Sequence, residues 1–186
     1  SLNNLNEDLE SLLKKVSLEY TEFLQIMVTD YLNPVVTGTN NRRFAITAKA
    51  GFPADTCALE ELKLECRPAA GEQAAELKAV FFKHLHRFIR LYKATQWSIY
   101  QLDIVLRSIG LNNLYVKDTN TNAYVDRLNK TVFTTIAGVK EVSDIFGKAP
   151  EHICTLWSNL DTHSYIDFEK EQVLTPSVYD SLFRNK

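Results

Sequence analysis

In this chain the stretch LHRFIRLY, residues 85–92, is followed after a short gap by QWSIYQLD, residues 96–103. The first stretch places apolar residues three or four positions apart, which indicates one face of an amphipathic helix. Ser98 with Gln101 three residues later is a capping box, a sequence signature of a helix N-terminus. We therefore predict a helix, a tight corner at Trp97 and a second helix, and this unit decides the fold class.

The helical period continues on both sides of this corner. It predicts one long helix over residues 72–95 and a following helix ended by Gly110, which suits the left-handed position after a helix. Nearer the N-terminus we predict a helix up to Val16, and then a second helix capped by Ser17 and ended at Asn33-Pro34. Apolar residues share one face of each helix: Leu5, Leu9, Leu12, Leu13 and Val16 in the first, and Tyr20, Phe23, Leu24, Met27, Val28 and Tyr31 in the second.

Residues 35–71 have a different pattern. Turn-forming residues occur at 38–41 and 51–55, and alternating apolar residues follow them at 43–47 and 59–67. We predict two short strands in a hairpin-like excursion. Because a two-stranded ribbon is marginal by itself, we expect this one to lie against the helices.

The C-terminal part is again predicted to be mainly helical. After a polar loop at 117–122 the helical period runs to a break at Gly147, and Pro150 lies in the first turn of a short helix that reaches Trp157. Residues 158–176 are loop-like, and Ser177 is placed to cap a final helix. The periodic apolar residues are Tyr124, Leu128, Val132, Phe133, Ile136 and Val139.

A weak internal repeat connects these segments, since a corner, a capping residue and a new helix recur near Ser17, Ser98 and Ala149. Such a repeat is typical of a solenoid-like scaffold. We predict a mainly α fold of stacked helical hairpins, a solenoid-like helical shell, with a small two-stranded β excursion. Its parts are an N-terminal helical hairpin at 1–34, the loop and excursion at 35–71 and helical hairpins at 72–186, in one domain cut from a much larger chain.

The composition is that of an ordinary globular domain: 186 residues, 45% of them hydrophobic and 24% charged. The formal net charge of −2 gives no general attraction to nucleic acid or to anionic membranes. Lysine and arginine are dense only at Lys83, Arg87, Arg90 and Lys93. The solvent-facing side of a helix is favoured there over a phosphate-binding stripe.

Three cysteines, Cys57, Cys66 and Cys154, have no metal-type spacing. Buried, reduced thiols are favoured, and a disulfide between Cys57 and Cys66 is the alternative.

Targeting signals are absent from the sequence. No stretch has the 18 or more apolar residues of a membrane-spanning helix, and the N-terminus lacks the layout of a signal peptide. Both ends look like the interior of a longer sequence, and residues 179–186 resemble a helix still in progress. We expect a fragment of a longer protein.

The histidines do not form a metal-ligand pattern. His84 and His86 are two residues apart on a helix and point in different directions, so they cannot bind one ion together. His84 lies on the apolar stripe and is expected in the core, whereas His152 is expected to be exposed.

The loop Asp161-Thr162-His163-Ser164 contains the three residue types of a catalytic triad. Triads are assembled from separate elements and need an oxyanion hole, so a polar loop is favoured here. No glycine-rich phosphate loop, zinc signature or EF-hand pattern occurs. The candidate carboxylates Glu7, Glu10, Glu60, Glu61 and Glu65 do not lie in an apolar pattern that would raise their pKa. The sequence predicts no catalytic, cofactor-binding or metal-ligating residue, and no enzyme.

Several aromatic residues lie outside the clear apolar stripes. Packing between helices is favoured for them, and anchoring a partner or stacking on a sugar is the alternative. These residues are Tyr100, Tyr115, Tyr165, Phe168 and Tyr179.

One family shares the central motif. LHRFIRLY with WSIYQLD and Arg107 resembles the segment HRFIRLWRKLGWSIYELDRAL of toxin-complex (Tc) A components, insecticidal toxins that share a region with the Salmonella virulence plasmid A protein. Residues 16–34, 59–64, 157–163 and 177–185 resemble further stretches of that family in the same order. The chain departs from the pattern at corner positions, with Ala94-Thr95-Gln96 in place of Lys-Leu-Gly and His163-Ser164 in place of a glycine.

The resemblance implies a role. Toxin-complex A components form pentamers in which an α-helical shell encloses a channel that translocates a toxic enzyme held by B and C subunits. By position this chain resembles part of the shell, in a secreted or cell-surface-associated toxin. The shell would contact other protomers and open on pH change, while receptor binding, pore formation and membrane contact belong to other regions. A stand-alone α-helical virulence effector or interaction module is the alternative.

Overall fold

A computed structural model describes residues 6–168 and 173–184 of the chain. The predicted mainly α class is confirmed, together with a small antiparallel ribbon. The helices are α1 Leu9–Val16, α2 Tyr20–Met27, α3 Ala74–Thr95, α4 Ile99–Ser108, α5 Lys130–Phe146, α6 Pro150–Cys154 and α7 Val178–Phe183. The strands are β1 Phe44–Ala48, β2 Leu62–Cys66, β3 Tyr165–Asp167 and β4 Val173–Thr175.

The predicted cap at Ser17 is wrong. Ser17 ends α1 in the left-handed conformation (φ 52°), and its N–H donates to the carbonyl of Leu13. The second helix begins at Tyr20, three residues later, and its N-cap is Glu19, whose N–H donates to the carboxylate of Glu22 at 2.9 Å. A serine between two helices can therefore close the first helix instead of opening the second. Leu5, which was assigned to the stripe of the first helix, lies outside the described residues.

Helix α2 ends at Met27, earlier than the predicted end at Asn33-Pro34. The Asn33 amide donates to the carbonyl of Met27 at 2.8 Å and to that of Phe44 at 2.9 Å. A side chain thus satisfies a carbonyl at the end of α2, and the chain continues in turns to Pro34.

The two strands predicted in residues 35–71 are confirmed. Strands β1 and β2 pair antiparallel, with Phe44 opposite Cys66 and Ala48 opposite Leu62. As expected for a ribbon that is marginal alone, it lies against helices: Leu62 and Leu64 belong to the common core, and the rings of Phe44 and Phe81 are 4.4 Å apart.

The corner between α3 and α4 agrees with the sequence. The Gln101 N–H donates to the Ser98 hydroxyl at 3.1 Å, and the Ser98 N–H donates to the Gln101 side chain at 3.0 Å. Trp97 is buried at the corner. Gly110 follows α4 with φ +82°, the conformation that favours glycine there.

The helix predicted to include Tyr124 and Leu128 begins only at Lys130. Asn129 caps it, accepting a hydrogen bond from the Val132 N–H at 3.1 Å. The apolar residues before Asn129 instead belong to a loop, in which Tyr124 pairs with Lys117 as an isolated bridge. Gly147 in the left-handed conformation and Pro150 at the first helical position confirm the predicted break. Helix α6 ends at Cys154, and turns continue to Trp157.

The loop predicted at 158–176 contains a second ribbon. Strands β3 and β4 pair antiparallel, with Tyr165 opposite Thr175 and Ile166 opposite Leu174. Each strand has only three residues, too few for an alternating pattern to be recognised. Ser177 caps α7 as predicted, accepting from the Asp180 N–H at 3.1 Å.

Helix α4 is the centre of the packing. It packs against α2, α3, α5 and α6, and Leu102, Val105 and Leu106 are completely buried in it. None of the helices described between residues 6 and 184 is long and apolar enough to cross a membrane.

Candidate functional site

Five polar side chains from three parts of the chain meet beside α4. They are Asp30 from the turn after α2, Tyr100, Asp103 and Arg107 from α4, and Asp161 from the segment after α6; we call them the polar cluster. The three α4 residues recur at three- and four-residue steps, so they share one helix face. A cavity of about 520 Å³ opens onto the cluster, within the size range of ligand pockets.

Asp103 is buried in this cluster. Its Oδ1 accepts from the Tyr31 N–H at 2.9 Å, and its Oδ2 accepts from the Asp30 N–H at 3.2 Å. Burial raises the pKa of the Asp103 carboxyl to about 6, although the two N–H donors act in the opposite direction. Asp103 thus ties α4 to the turn that follows α2.

Arg107 lies between two carboxylates. Its Nε is 3.5 Å from an Asp30 oxygen, and its Nη2 is 3.5 Å from Asp161 Oδ1. The Tyr100 hydroxyl donates to Asp161 Oδ2 at 2.7 Å, and burial together with this bond raises the pKa of Tyr100. Both oxygens of Asp161 are therefore held within the fold, which joins the 161–168 segment to α4.

The triad-like loop places two of its three residues together. His163 Nδ1 is 3.5 Å from Asp161 Oδ1, but the His163 side chain is 81% exposed. Asp161 also accepts hydrogen bonds from Tyr100 and Arg107. Ser164 is exposed, and within residues 6–168 and 173–184 no hydrogen bond joins it to His163. This geometry does not activate a serine nucleophile.

His84 is a core histidine, as predicted. It is buried on α3, with Nδ1 2.9 Å from the Tyr31 hydroxyl. Burial lowers the pKa of His84 to about 4, so the ring is neutral at physiological pH. His86 is exposed, and His152, predicted to be exposed, is half-buried. Within residues 6–168 and 173–184, no group of three or more His, Cys, Asp or Glu side chains is arranged to hold a metal ion.

The basic residues of α3 lie on its solvent-facing side. Lys83, Arg90 and Lys93 are exposed, and Lys83 and Arg87 both bind Asp126, at 2.9 and 2.6 Å. Partial burial opposes ionisation of Asp126, but these hydrogen bonds outweigh it and lower its pKa to about 2. Two of the four cations are thus engaged with a carboxylate, which is unlike a phosphate-binding stripe.

The cysteines and the unassigned aromatic residues differ in burial. All three thiols are free. Cys154 is buried as predicted, whereas Cys66 is only half-buried and Cys57 is exposed, against the prediction. The Tyr100 and Tyr165 rings stack with centroids 3.5 Å apart. Tyr115 is buried and donates to the Leu32 carbonyl at 3.0 Å. These three tyrosines therefore contact other parts of the chain, but not between two helices as predicted, and Tyr179 remains exposed.

The polar cluster was not predicted from the sequence. The one local signal is Asp103 itself, an acidic residue inside the apolar run of α4 between Leu102 and Ile104. Its partners lie more than 70 residues away along the chain, so no spacing rule connects them. Chemically, the cluster fixes three segments together through charge-assisted hydrogen bonds.

No protein-family model, curated protein or solved structure matches this chain.

Proposed function

We propose that the chain is a non-catalytic α-helical shell segment of a pore-forming, cargo-translocating toxin of the toxin-complex A type. The observation that supports this role is that polar side chains in and around the central motif form hydrogen bonds and ion pairs within the fold. His84, Asp103 and Arg107 all bind other parts of the same chain. Side chains that are engaged in contacts within the fold support a structural role more than a catalytic one.

The proposed architecture is a stack of helical hairpins. Helices α3 and α4 would form one hairpin, and α5 and α6 the next. Contacts of α4 with both α3 and α6 support this arrangement, because α4 then lies between the two hairpins.

The proposed binding partners are inferred from the family resemblance alone. They are other protomers of the same toxin, in a pentamer, together with B and C subunits bound by other regions. The toxin would be secreted or associated with the cell surface. Neither nucleic acid nor membrane is a proposed partner of this segment.

The size of the native gene product tests the proposal. An antibody raised against this chain should detect, in the source organism, a band far above 21.3 kDa. Electron microscopy of the purified band should then show a large assembly with a helical shell. A band near 21.3 kDa would contradict the shell assignment.

That second result would favour a stand-alone α-helical interaction module. The observation on its side is the apolar surface exposed on α5 and beyond α6, since exposed apolar patches mark contact sites. The two functions therefore differ in chain length, which the blot measures directly.

The non-catalytic part of the proposal has its own test. The variant His163→Ala should leave both folding and the toxicity of the parent protein unchanged, because the His163 side chain is 81% exposed and its Nδ1 lies 3.5 Å from Asp161 Oδ1. Lost toxicity in a variant that is folded and assembled would revive the enzyme hypothesis.

A further inference from the structure

A second cavity borders Arg107 and Asp161, beside the cavity of the polar cluster. Its volume is about 530 Å³, within the size range of ligand pockets. Part of its wall comes from the loop that follows α6, through Trp157, Asn159 and Thr162. We call it the Trp157 cavity.

The backbone of this loop is held at both ends. At the start, the N–H groups of Trp157 and Ser158 donate to the Cys154 carbonyl at 3.2 and 3.0 Å, and the Ser158 hydroxyl donates to the same carbonyl at 3.0 Å. At the end, the Asp161 carbonyl accepts from the Tyr179 N–H at 3.0 Å. The loop is therefore in place before a ligand arrives, which lowers the entropy lost on binding.

Three side chains of the loop are available to a ligand. Trp157 is 48% exposed, and Asn159 and Thr162 are also exposed. In the part of the chain that the structure describes, neither the Trp157 indole N–H nor the side chains of Asn159 and Thr162 form a hydrogen bond. The loop thus combines a fixed backbone with an indole, an amide and a hydroxyl whose hydrogen-bonding groups the fold does not use.

The charges of Arg107 and Asp161 balance each other at this cavity. Arg107 Nη2 is 3.5 Å from Asp161 Oδ1, so the guanidinium and the carboxylate form an ion pair in the wall. An anion would be repelled by Asp161 and a cation by Arg107, so the pair favours a ligand without net charge. Such a ligand can still donate to the carboxylate and accept from the guanidinium.

We infer that the Trp157 cavity binds a neutral sugar, with one face of a pyranose ring on the Trp157 indole and its hydroxyls bound by Asn159 and Thr162. A pyranose ring has apolar C–H groups on its faces and hydroxyls around its edge, so it needs a flat apolar surface next to groups that donate and accept. Tryptophan supplies such a surface, and an amide and a hydroxyl both donate and accept. The inference concerns binding alone and does not depend on the proposed function.

Saturation-transfer NMR on the full 186-residue chain measures the binding. The probes are the methyl α-pyranosides of glucose, galactose and mannose, and glycerol is the control for a polyol without a ring. At the ligand efficiency of drug-sized molecules, a glycoside of about 13 non-hydrogen atoms should bind with a Kd of about 1 mM. Absence of saturation transfer to all three glycosides, or equal transfer to glycerol, would overturn the inference.

The fluorescence of the two tryptophans gives a second measurement. Trp97 is buried at the α3–α4 corner, whereas Trp157 is open at the cavity. A bound sugar should therefore shift the emission of Trp157 to shorter wavelength and leave that of Trp97 unchanged. In Trp157→Phe only Trp97 emits, and a shift that persists in this variant would overturn the placement of the sugar.

Substitutions in the loop test the contacts one by one. Trp157→Ala should abolish measurable binding, and Thr162→Val should weaken it about threefold, because valine keeps the shape of threonine without its hydroxyl. Asn159→Ala should also weaken binding. Its matched control is Asn120→Ala, which removes an exposed amide that does not line the cavity. Undiminished binding in a Trp157→Ala protein with native circular dichroism would overturn the inference.

Immobilised sugars distinguish two sources of the same ring. Polyacrylamide beads that carry the bound pyranose through a linker should retain the chain if the cavity takes the terminal sugar of a longer chain. Binding of the free glycoside without retention would assign a free sugar, and both results support the site. Retention that the free glycoside does not compete away would contradict it.

Discussion

Helices α3 and α5 are the two longest helices within residues 6–168 and 173–184, and they differ in how much of their surface is buried. Helix α3 buries eight of its 22 residues, including His84, and its exposed Lys83 and half-exposed Arg87 bind Asp126. Helix α5 buries three of its 17 residues and leaves Phe133, Ile145 and Phe146 open to solvent. Helix α3 is well packed against the rest of the described chain, whereas α5 has an apolar surface that the described residues leave exposed.

The difference shows where the stability of this chain resides. The region from α1 to α4 contains completely buried aromatic rings and buried polar side chains that are hydrogen-bonded. The α5–α6 region contributes few buried residues and has a large solvent-exposed surface. Mutations of the same type should therefore have large effects in the first region and small effects in the second.

Truncating one phenylalanine in each region should show the largest contrast. Phe88 is fully buried and stacks near Tyr31 with centroids 6.0 Å apart. Phe88→Ala should lower the free energy of unfolding by about 3–5 kcal/mol, because it leaves a cavity in a packed core. Phe146→Ala should change it by less than about 0.5 kcal/mol. Urea denaturation at low protein concentration measures both, and equal effects would contradict the comparison.

Removing one carboxylate in each region should give the next largest contrast. Asp103→Ala leaves the N–H groups of Asp30 and Tyr31 without their acceptor, which should cost about 2–4 kcal/mol of unfolding free energy. Asp144 on α5 is mainly exposed and pairs only with Lys140, so Asp144→Ala should cost less than about 0.5 kcal/mol. Thermal unfolding of both variants decides the point. A mild Asp103→Ala would mean that Asp103 does not tie α4 to the turn.

Two buried groups of the first region should oppose each other in acid. The pKa of His84 is lowered from 6.5 to about 4, so the fold loses stability as the unfolded chain takes up a proton between pH 6.5 and 4. The pKa of Asp103 is raised from 3.8 to about 6, so the fold takes up the proton first and gains stability between pH 6 and 4. Each contribution is on the order of 3 kcal/mol, and they largely cancel in the native chain.

Single variants separate the two contributions. Between pH 6.5 and 4 the stability of Asp103→Asn should fall and that of His84→Gln should rise, while the native chain stays nearly level. Urea denaturation at half-unit pH steps measures the slopes. Parallel curves for the three proteins would show that neither group titrates in the fold as described.

Glycine substitutions should give the smallest effects, and these differ in sign. Gly138→Ala should raise the free energy of unfolding of the monomer by about 0.5–1 kcal/mol, because alanine favours helix and meets no neighbour there. Gly147→Ala should lower it by about 1 kcal/mol, since Gly147 ends α5 at φ +60°. Thermal unfolding at micromolar concentration keeps association out of the measurement. A destabilised Gly138→Ala would reveal a tight contact at Gly138.

Signals confined to a few residues predicted local structure well. The capping box of Ser98 and Gln101, the left-handed Gly147 and the first-turn Pro150 all occur where the pattern placed them. Each depends on hydrogen bonds or backbone angles within about four residues. Such features are decided before distant parts of the chain meet.

Features that depend on distant partners were missed. Tyr165 begins strand β3, and its ring stacks on the ring of Tyr100. A strand of three residues is too short to be predicted from an alternating pattern. The apolar residues Tyr124 and Leu128 matched a helical period, but they pack from a loop because Asn129 caps the helix after them. Periodicity shows which residues seek burial, and it does not decide which backbone conformation buries them.

The amino-acid sequence by itself determined the mainly α class, the first ribbon, the α3–α4 corner and the core position of His84, because these follow from local hydrogen bonding and from apolar periodicity. Only the tertiary structure decided the roles of Asp103 and Arg107 and the open face of α5. A buried carboxylate acquires its role from the N–H groups and cations that folding places beside it. Likewise, an apolar helix face can be recognised as exposed only when the packing of all the other elements is known.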